Sequence, residues 1–116
     1  MAIEISNELG DLYMVSAGDT ETIAIDYTDI LDGTEALTGT PTIVEPTTTG
    51  VVLDNKQLNS AAITVLGRSV AANNAVQCSA AFSSTMSGTT KTIRVTISTN
   101  GSPARTWVRD VKIKVV

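Results

Sequence analysis

The stretch DYTDILDGTE sets four carboxylates, Asp26, Asp29, Asp32 and Glu35, three residues apart. Oxygens crowded in this way suit a hard cation such as Ca²⁺ or, taken as a pair, acid–base work on a glycosidic bond. The spacing is not the D-x-D-x-D-G order of a calcium loop. The plainer reading is a solvated turn whose Asp side chains cap backbone amides. The chain has no His, so the commonest general base is missing. Its one cysteine, Cys78 in AVQCSAAF, has no disulfide partner within the chain and no zinc spacing around it. A cysteine nucleophile needs a base beside it, and a buried small hydrophobe is the better reading of Cys78. Gly67 and Gly88 stand alone, with no Lys-Ser/Thr after a glycine-rich run, and the G-x-S-x-G elbow is absent. The expectation is a protein without catalytic residues, cofactor or metal.

The last stretch, KTIRVTISTNGSPARTWVRDVKIKVV, carries the only Trp and most of the cations: Lys91, Arg94, Arg105, Arg109, Lys112 and Lys114. Nucleic-acid binding wants aromatic platforms or a basic domain, and this chain has one Trp and a net charge of −4. Trp and Arg are the residues that dominate protein interfaces, so a protein partner fits the ribbon better. Trp107 reads either as such an anchor or as the core tryptophan of a small sandwich. Contact residues expected from the sequence are Arg105, Trp107 and Arg109, together with Ile3, Ile5, Leu9, Leu12 and Tyr13 from the amphipathic N-terminal stretch Met1–Val15.

These residues need a frame. The 116 residues, 42% apolar but 3% aromatic, fit one domain with a modest core. Residues 1–54 hold eleven acids and no cation, and residues 55–116 hold eight cations and one acid, giving −11 and +7. Either acidic and basic strands pair across one fold, or an acidic face meets a neighbour's basic face and guides assembly. The N-terminus lacks the basic start of a signal peptide, and no apolar run is long enough to span a bilayer. Synthesis in a cytoplasm and no membrane partner are expected.

Strand patterns recur about every ten residues. Ile23, Ile25 and Tyr27 alternate in ETIAIDY, and Val76, Cys78 and Ala80 share a face of VQCSAAF. Ile93, Val95 and Ile97 alternate against Arg94, Thr96 and Ser98. PTIVEP, bounded by prolines, reads as an edge strand. VVLD and Ala62–Leu66 read as further strands, and RSVAANNAV and STMSGTT as loops. Asp29 to Leu31 reads as one short helical turn. Asn100-Gly101 marks a hairpin turn. In the last strand Val111, Ile113 and Val115 face inward and Lys112 and Lys114 outward, and the alternation slips near Arg109-Asp110, which predicts a bulge or bend. The fold expected is all-β, a small antiparallel immunoglobulin-like β-sandwich over residues 21–116, with residues 1–20 as an N-terminal extended arm or edge strand.

The stretches GDTETIAIDYTDILDGTEALTGTPTIVE, NSAAITVLGRSVAANNAVQCSAAF and KTIRVTISTNGSPARTWVRDVKIKV, spanning residues 18–116, resemble a family of small tailed-bacteriophage virion proteins of the fibre–tail adaptor and head decoration type. The chain departs from them in FSSTMSGTTKT, which keeps Gly88 but lacks a Tyr. The resemblance brings no catalytic residue. It implies a structural virion protein, made in the host cytoplasm and carried on the capsid surface. Such a decoration or cement protein would bind between major capsid protein subunits and self-associate, with a homotrimer as the natural state at a threefold. A tail-fibre adaptor is the alternative within this class. A carbohydrate-binding sandwich is the alternative outside it, limited to Tyr13, Tyr27, Phe82 and Trp107 for stacking.

Overall fold

The computed structural model describes residues 2–5 and 12–116. Its strands are β1 (Ala2–Ile5), β2 (Leu12–Val15), β3 (Thr20–Asp26), β4 (Leu37–Val44), β5 (Val52–Leu58), β6 (Ile63–Val65), β7 (Arg68–Val70), β8 (Ala75–Ala81), β9 (Thr90–Thr99) and β10 (Thr106–Val115). Two 3₁₀ turns, Thr28–Ile30 and Ser84–Met86, interrupt the loops. Stiff β-branched residues at alternate positions give each strand one apolar face. The strands assemble as two four-stranded sheets, ordered β1-β3-β8-β5 and β2-β10-β9-β4, with β6-β7 as a separate hairpin. This is a β-sandwich with immunoglobulin-like strand order.

Two pairings depart from the antiparallel scheme. β1 runs parallel to β3, and β2 runs parallel to β10. β1 is therefore an edge strand of one sheet and β2 an edge strand of the other. Ile3 and Ile5 face inward from β1 at 5% and 0% exposure.

The core lies between the sheets. Ile23, Ile25, Val76, Cys78 and Ala80 from one sheet meet Ile43, Ile93, Val95, Ile97, Val111, Ile113 and Val115 from the other, with Phe82 and Met86 closing one end. Burial pushes the Cys78 thiol up to about 11, consistent with an inert core position. A second, smaller cluster forms where the β6-β7 hairpin folds over the outside of the first sheet. Val65 and Val70 cover Ala24 and Ala75 there.

β4 is an edge strand, as its prolines predict. It breaks register between Thr38 and Thr42 around Gly39 (φ +81°) and Pro41, which blunts the edge against further pairing. Three expectations change. RSV is a strand, not loop, because Leu66 (φ +51°) and Gly67 (φ +76°) close a tight hairpin with β6. β5 continues beyond VVLD to Leu58, with its own irregularity between Asp54 and Gln57. β10 has no slip at Arg109-Asp110: its register with β9 is unbroken from Thr106 to Lys114. Arg109 occupies an inward position, 8% exposed, so the charge that looked like a break in the pattern is a buried member of it.

Candidate functional site: an open sheet face and an arginine cluster

The two sheets differ in what covers them. The outside of β1-β3-β8-β5 carries the β6-β7 hairpin. The outside of β2-β10-β9-β4 is uncovered among the described residues. Strand register places its side chains in rows: Thr106, Ser98 and Thr38; Val108, Thr96 and Thr42; Asp110, Arg94 and Val44; then Lys112 and Thr92 beside Leu12, and Lys114 and Thr90 beside Met14. Leu12, Met14, Val44 and Val108 are 43–62% exposed, and they are four of the seven large hydrophobics exposed among the described residues. An apolar group on the solvent parity of a strand removes area from water only if something covers it.

At the centre of this face Arg94 reaches across to Asp110, Nε to Oδ1 at 2.8 Å and Nη2 to Oδ2 at 3.1 Å. The Arg94 guanidinium holds the Asp110 carboxyl below its ordinary range. Lys112 lies one row further and Lys114 two. The Lys114 ammonium donates to the Gly88 carbonyl at 3.2 Å.

The four evenly spaced carboxylates are divided between two arginines. Asp26 accepts from the Thr28 amide at 2.8 Å, where the first 3₁₀ turn begins, and lies 3.9 Å from Arg68, which also pairs with Asp29 at 2.8 Å. Asp32 and Glu35 go to Arg105. Glu35 is the hub of this second group. It accepts from the Arg105 guanidinium, from Thr99 Oγ1 at 2.7 Å and from the Asp32 amide at 3.0 Å. Those bonds, Arg105's foremost, hold its carboxyl down at about 2. The Arg105 Nη2 also donates to the Ile30 carbonyl at 2.9 Å. Among the described residues no three His, Cys, Asp or Glu side chains converge as metal ligands. Arg68 and Arg105 thus join the acidic first half of the chain to its basic second half, within one chain.

The β9–β10 connection builds on the same hub. Asn100 pairs with Ala36 through both its amide and its Oδ1, so Asn100-Gly101 opens a longer loop containing a cis Ser102–Pro103 bond and is not a two-residue turn. Gly101 passes so close to Glu35 that an added Cβ would strike its carboxylate. Between this loop and Asp32–Glu35 lies an open polar cleft of about 510 Å³.

The contact residues expected from the sequence do not form one patch. Arg105 and Trp107 meet, the guanidinium carbon 4.9 Å from the ring centroid. Trp107 packs half-buried against the rim of the core, and its Nε1 is buried without an acceptor among the described residues. Arg109 is buried two residues on, close enough to Tyr27 for its charge to act on the phenol. Leu12 is exposed on the open face, whereas Tyr13 is half-buried against the core. Leu12 sits level with Lys112, about 17 Å along β10 from Trp107 and on the opposite side of the sheet. Ile3 and Ile5 are core residues of the other sheet, which corrects their assignment to an outer contact. Leu9 lies outside the described residues. The residues that the sequence reading missed are Met14, Val44 and Val108. Their signal was an apolar side chain at the polar parity of an otherwise regular strand.

No family model matches the chain, and no curated protein matches it. Among solved structures, the chain is similar to a nucleoside hydrolase-related hypothetical protein from Saccharophagus degradans that is associated with carbohydrate metabolism. The TM-score is 0.55 and the identity 18%, over 90% of this chain and 22% of that one. This chain therefore corresponds to about a fifth of that protein's length, and the likeness is one of fold. Amebosin is also similar, at a TM-score of 0.43 and 8% identity over 97% of this chain and 98% of that one. Among the described residues no helix is long and apolar enough to cross a membrane.

Proposed function

We propose that the chain is a structural protein of a phage particle, a head decoration protein that binds where major capsid protein subunits meet, works by adhesion and carries out no reaction. The observation that carries this reading is the uncovered face of β2-β10-β9-β4, with Leu12, Met14, Val44 and Val108 held in water by a rigid sheet. The sequence resemblance over residues 18–116 supplies the setting. The carboxylates that invited a catalytic or calcium reading are engaged by Arg68 and Arg105 in tying loops together, a use that supports a scaffold. A tail-fibre adaptor would use the same face. The carbohydrate-binding alternative has less support, because Arg105 covers one side of the Trp107 ring that a sugar would need.

Cosedimentation with phage heads lacking the protein, alongside isolated tails, tests this. Saturable binding to heads in hundreds of copies is the expected result, weakened at least tenfold by Met14→Asp. Binding to tails alone would replace the decoration role with the adaptor role, and binding to neither would overturn both.

A further inference from the structure

The open face is arranged to fit itself. We infer that a second copy of this chain covers the face of β2-β10-β9-β4, related by a twofold axis that runs parallel to the strands between β9 and β10. This rests on the reading of the face as a contact surface and names its occupant in the free protein; the pair must part for the same face to meet the particle.

The argument is one of register. Such an axis lays β10 over the partner's β9, and β2 over the partner's β4, while keeping each row at its own level. In the central row, Asp110 then faces Arg94 of the other copy, and Arg94 faces Asp110 of the other copy. The four charges alternate around the axis. Within one chain the pair uses Arg94 Nε and Nη2, and a guanidinium has a third nitrogen, Nη1, with which to bridge to a second carboxylate. In the next row Val108 lies over Thr96, apolar group against methyl. Leu12, one row from Val44 in level, comes over the end of β4 where Val44 is exposed. Lys112 and Lys114 face Thr92 and Thr90, not each other.

A twofold axis perpendicular to the strands does the opposite, stacking Asp110 on Asp110 and Arg94 on Arg94, which costs energy in a partly desolvated contact. A threefold trimer requires a head-to-tail contact and makes no use of this self-complementarity. Fifteen outward positions at strand spacing cover about 500 Å² per copy, or about 1,000 Å² in the pair, at the lower limit for a specific interface. The pair is therefore expected to be reversible and to depend on concentration.

The experiment is sedimentation equilibrium of the full chain from about 10 μM to about 1 mM, a range that brackets dissociation constants of tens to hundreds of micromolar, repeated with Val108→Asp, Arg94→Glu and Val52→Asp. Val52 is exposed on the other sheet and serves as the control, and thermal melts check that each variant folds. The expected result is a mass rising from monomer to dimer in the parent and in Val52→Asp, with dimerisation weakened at least tenfold in the other two. An Arg94→Asp/Asp110→Arg double variant exchanges the charges, preserves the alternation and restores the dimer. A monomer throughout, a trimer, or a dimer indifferent to Val108→Asp would overturn the inference. A monomer whose binding to heads is still lost with Val108→Asp would overturn the second copy while leaving the adhesive role in place.

Discussion

Arg105 lies over the ring of Trp107 while its guanidinium is also bound by Glu35. A residue in the loop before β4 is thereby linked through Arg105 to an aromatic ring in the final strand, seventy-two residues away along the chain. The hub should report its state through pH. The Glu35 carboxyl is held at about 2 against an ordinary 4.5, so its charged form is favoured in the folded protein. The stability it contributes is complete above about pH 4.5 and is lost as pH falls towards about 2. Glu35→Gln should lower the melting temperature at pH 7, and the gap from the parent should close by pH 2. A constant gap across that range would show that the charge is not the stabilising element.

Leu66 holds a left-handed conformation at the tip of the β6-β7 hairpin, exposed and at φ +51°. A bulky side chain there costs about 1 kcal/mol that Asn largely avoids. Leu66→Asn should raise stability by about 0.5–1 kcal/mol, measured by urea unfolding. The Leu66 amide keeps its 2.7 Å bond to Glu4 in either case.

Asn59 is 1% exposed and organises the chain between β5 and β8. Its Oδ1 accepts from the Ala75 amide at 2.9 Å, and its Nδ2 donates to the carbonyls of Ala71 at 2.8 Å and Ala61 at 3.1 Å. Asn59→Ala leaves those backbone groups orphaned and should cost about 2–4 kcal/mol. Hydrogen exchange should show the loss concentrated at Ala75 and the β6-β7 hairpin.

Tyr27 buries a hydroxyl that meets no hydrogen-bond partner among the described residues. Burial pushes the phenol up to about 12 against the opposing pull of Arg109. The neutral form is favoured in the folded protein, so the stability tied to it is intact below about pH 10 and is lost as pH rises from 10 towards about 12. Tyr27→Phe should match or exceed the parent by about 0–1 kcal/mol at pH 7, since it removes an unsatisfied group, and should flatten the alkaline decline. Denaturant melts at pH 7 and pH 11 read both effects.

The regular strands were legible because two-residue alternation survives in ETIAIDY, VQCSAAF and TIRVTIST, and β4 announced its edge position through Pro41 and Pro46. The 3₁₀ turn was legible in TDIL. What failed followed from charge and from turn chemistry. Arg109 looked like a fault in the alternation because polarity was used as a proxy for direction, yet strand geometry kept it inside beside Tyr27. The β6-β7 hairpin was hidden because its turn uses Leu66-Gly67 where Asn-Gly is the usual signal. Ile3 and Ile5 were given to a neighbour because nothing local says that a short strand will pair in parallel with β3. Of the residues on the open face, Leu12 alone was among the expected contacts, and the surface around it depends on which strands lie side by side, which one sequence does not disclose.

The parallel pairing of β2 with β10 has a mechanical meaning. Leu12 to Val15 lie beside Lys112 to Val115 in the same direction, and the junction continues through the bonds between Val116 and both Val15 and Ala17. Tension that draws the leading end of β2 away from the trailing end of β10 slides the two strands along each other. Every hydrogen bond of the ladder is then strained at once, where a hairpin pulled from its open end would peel one bond at a time. The strand pair acts as a tether, and Val15 and Val115, both buried beneath it, must move together before it yields.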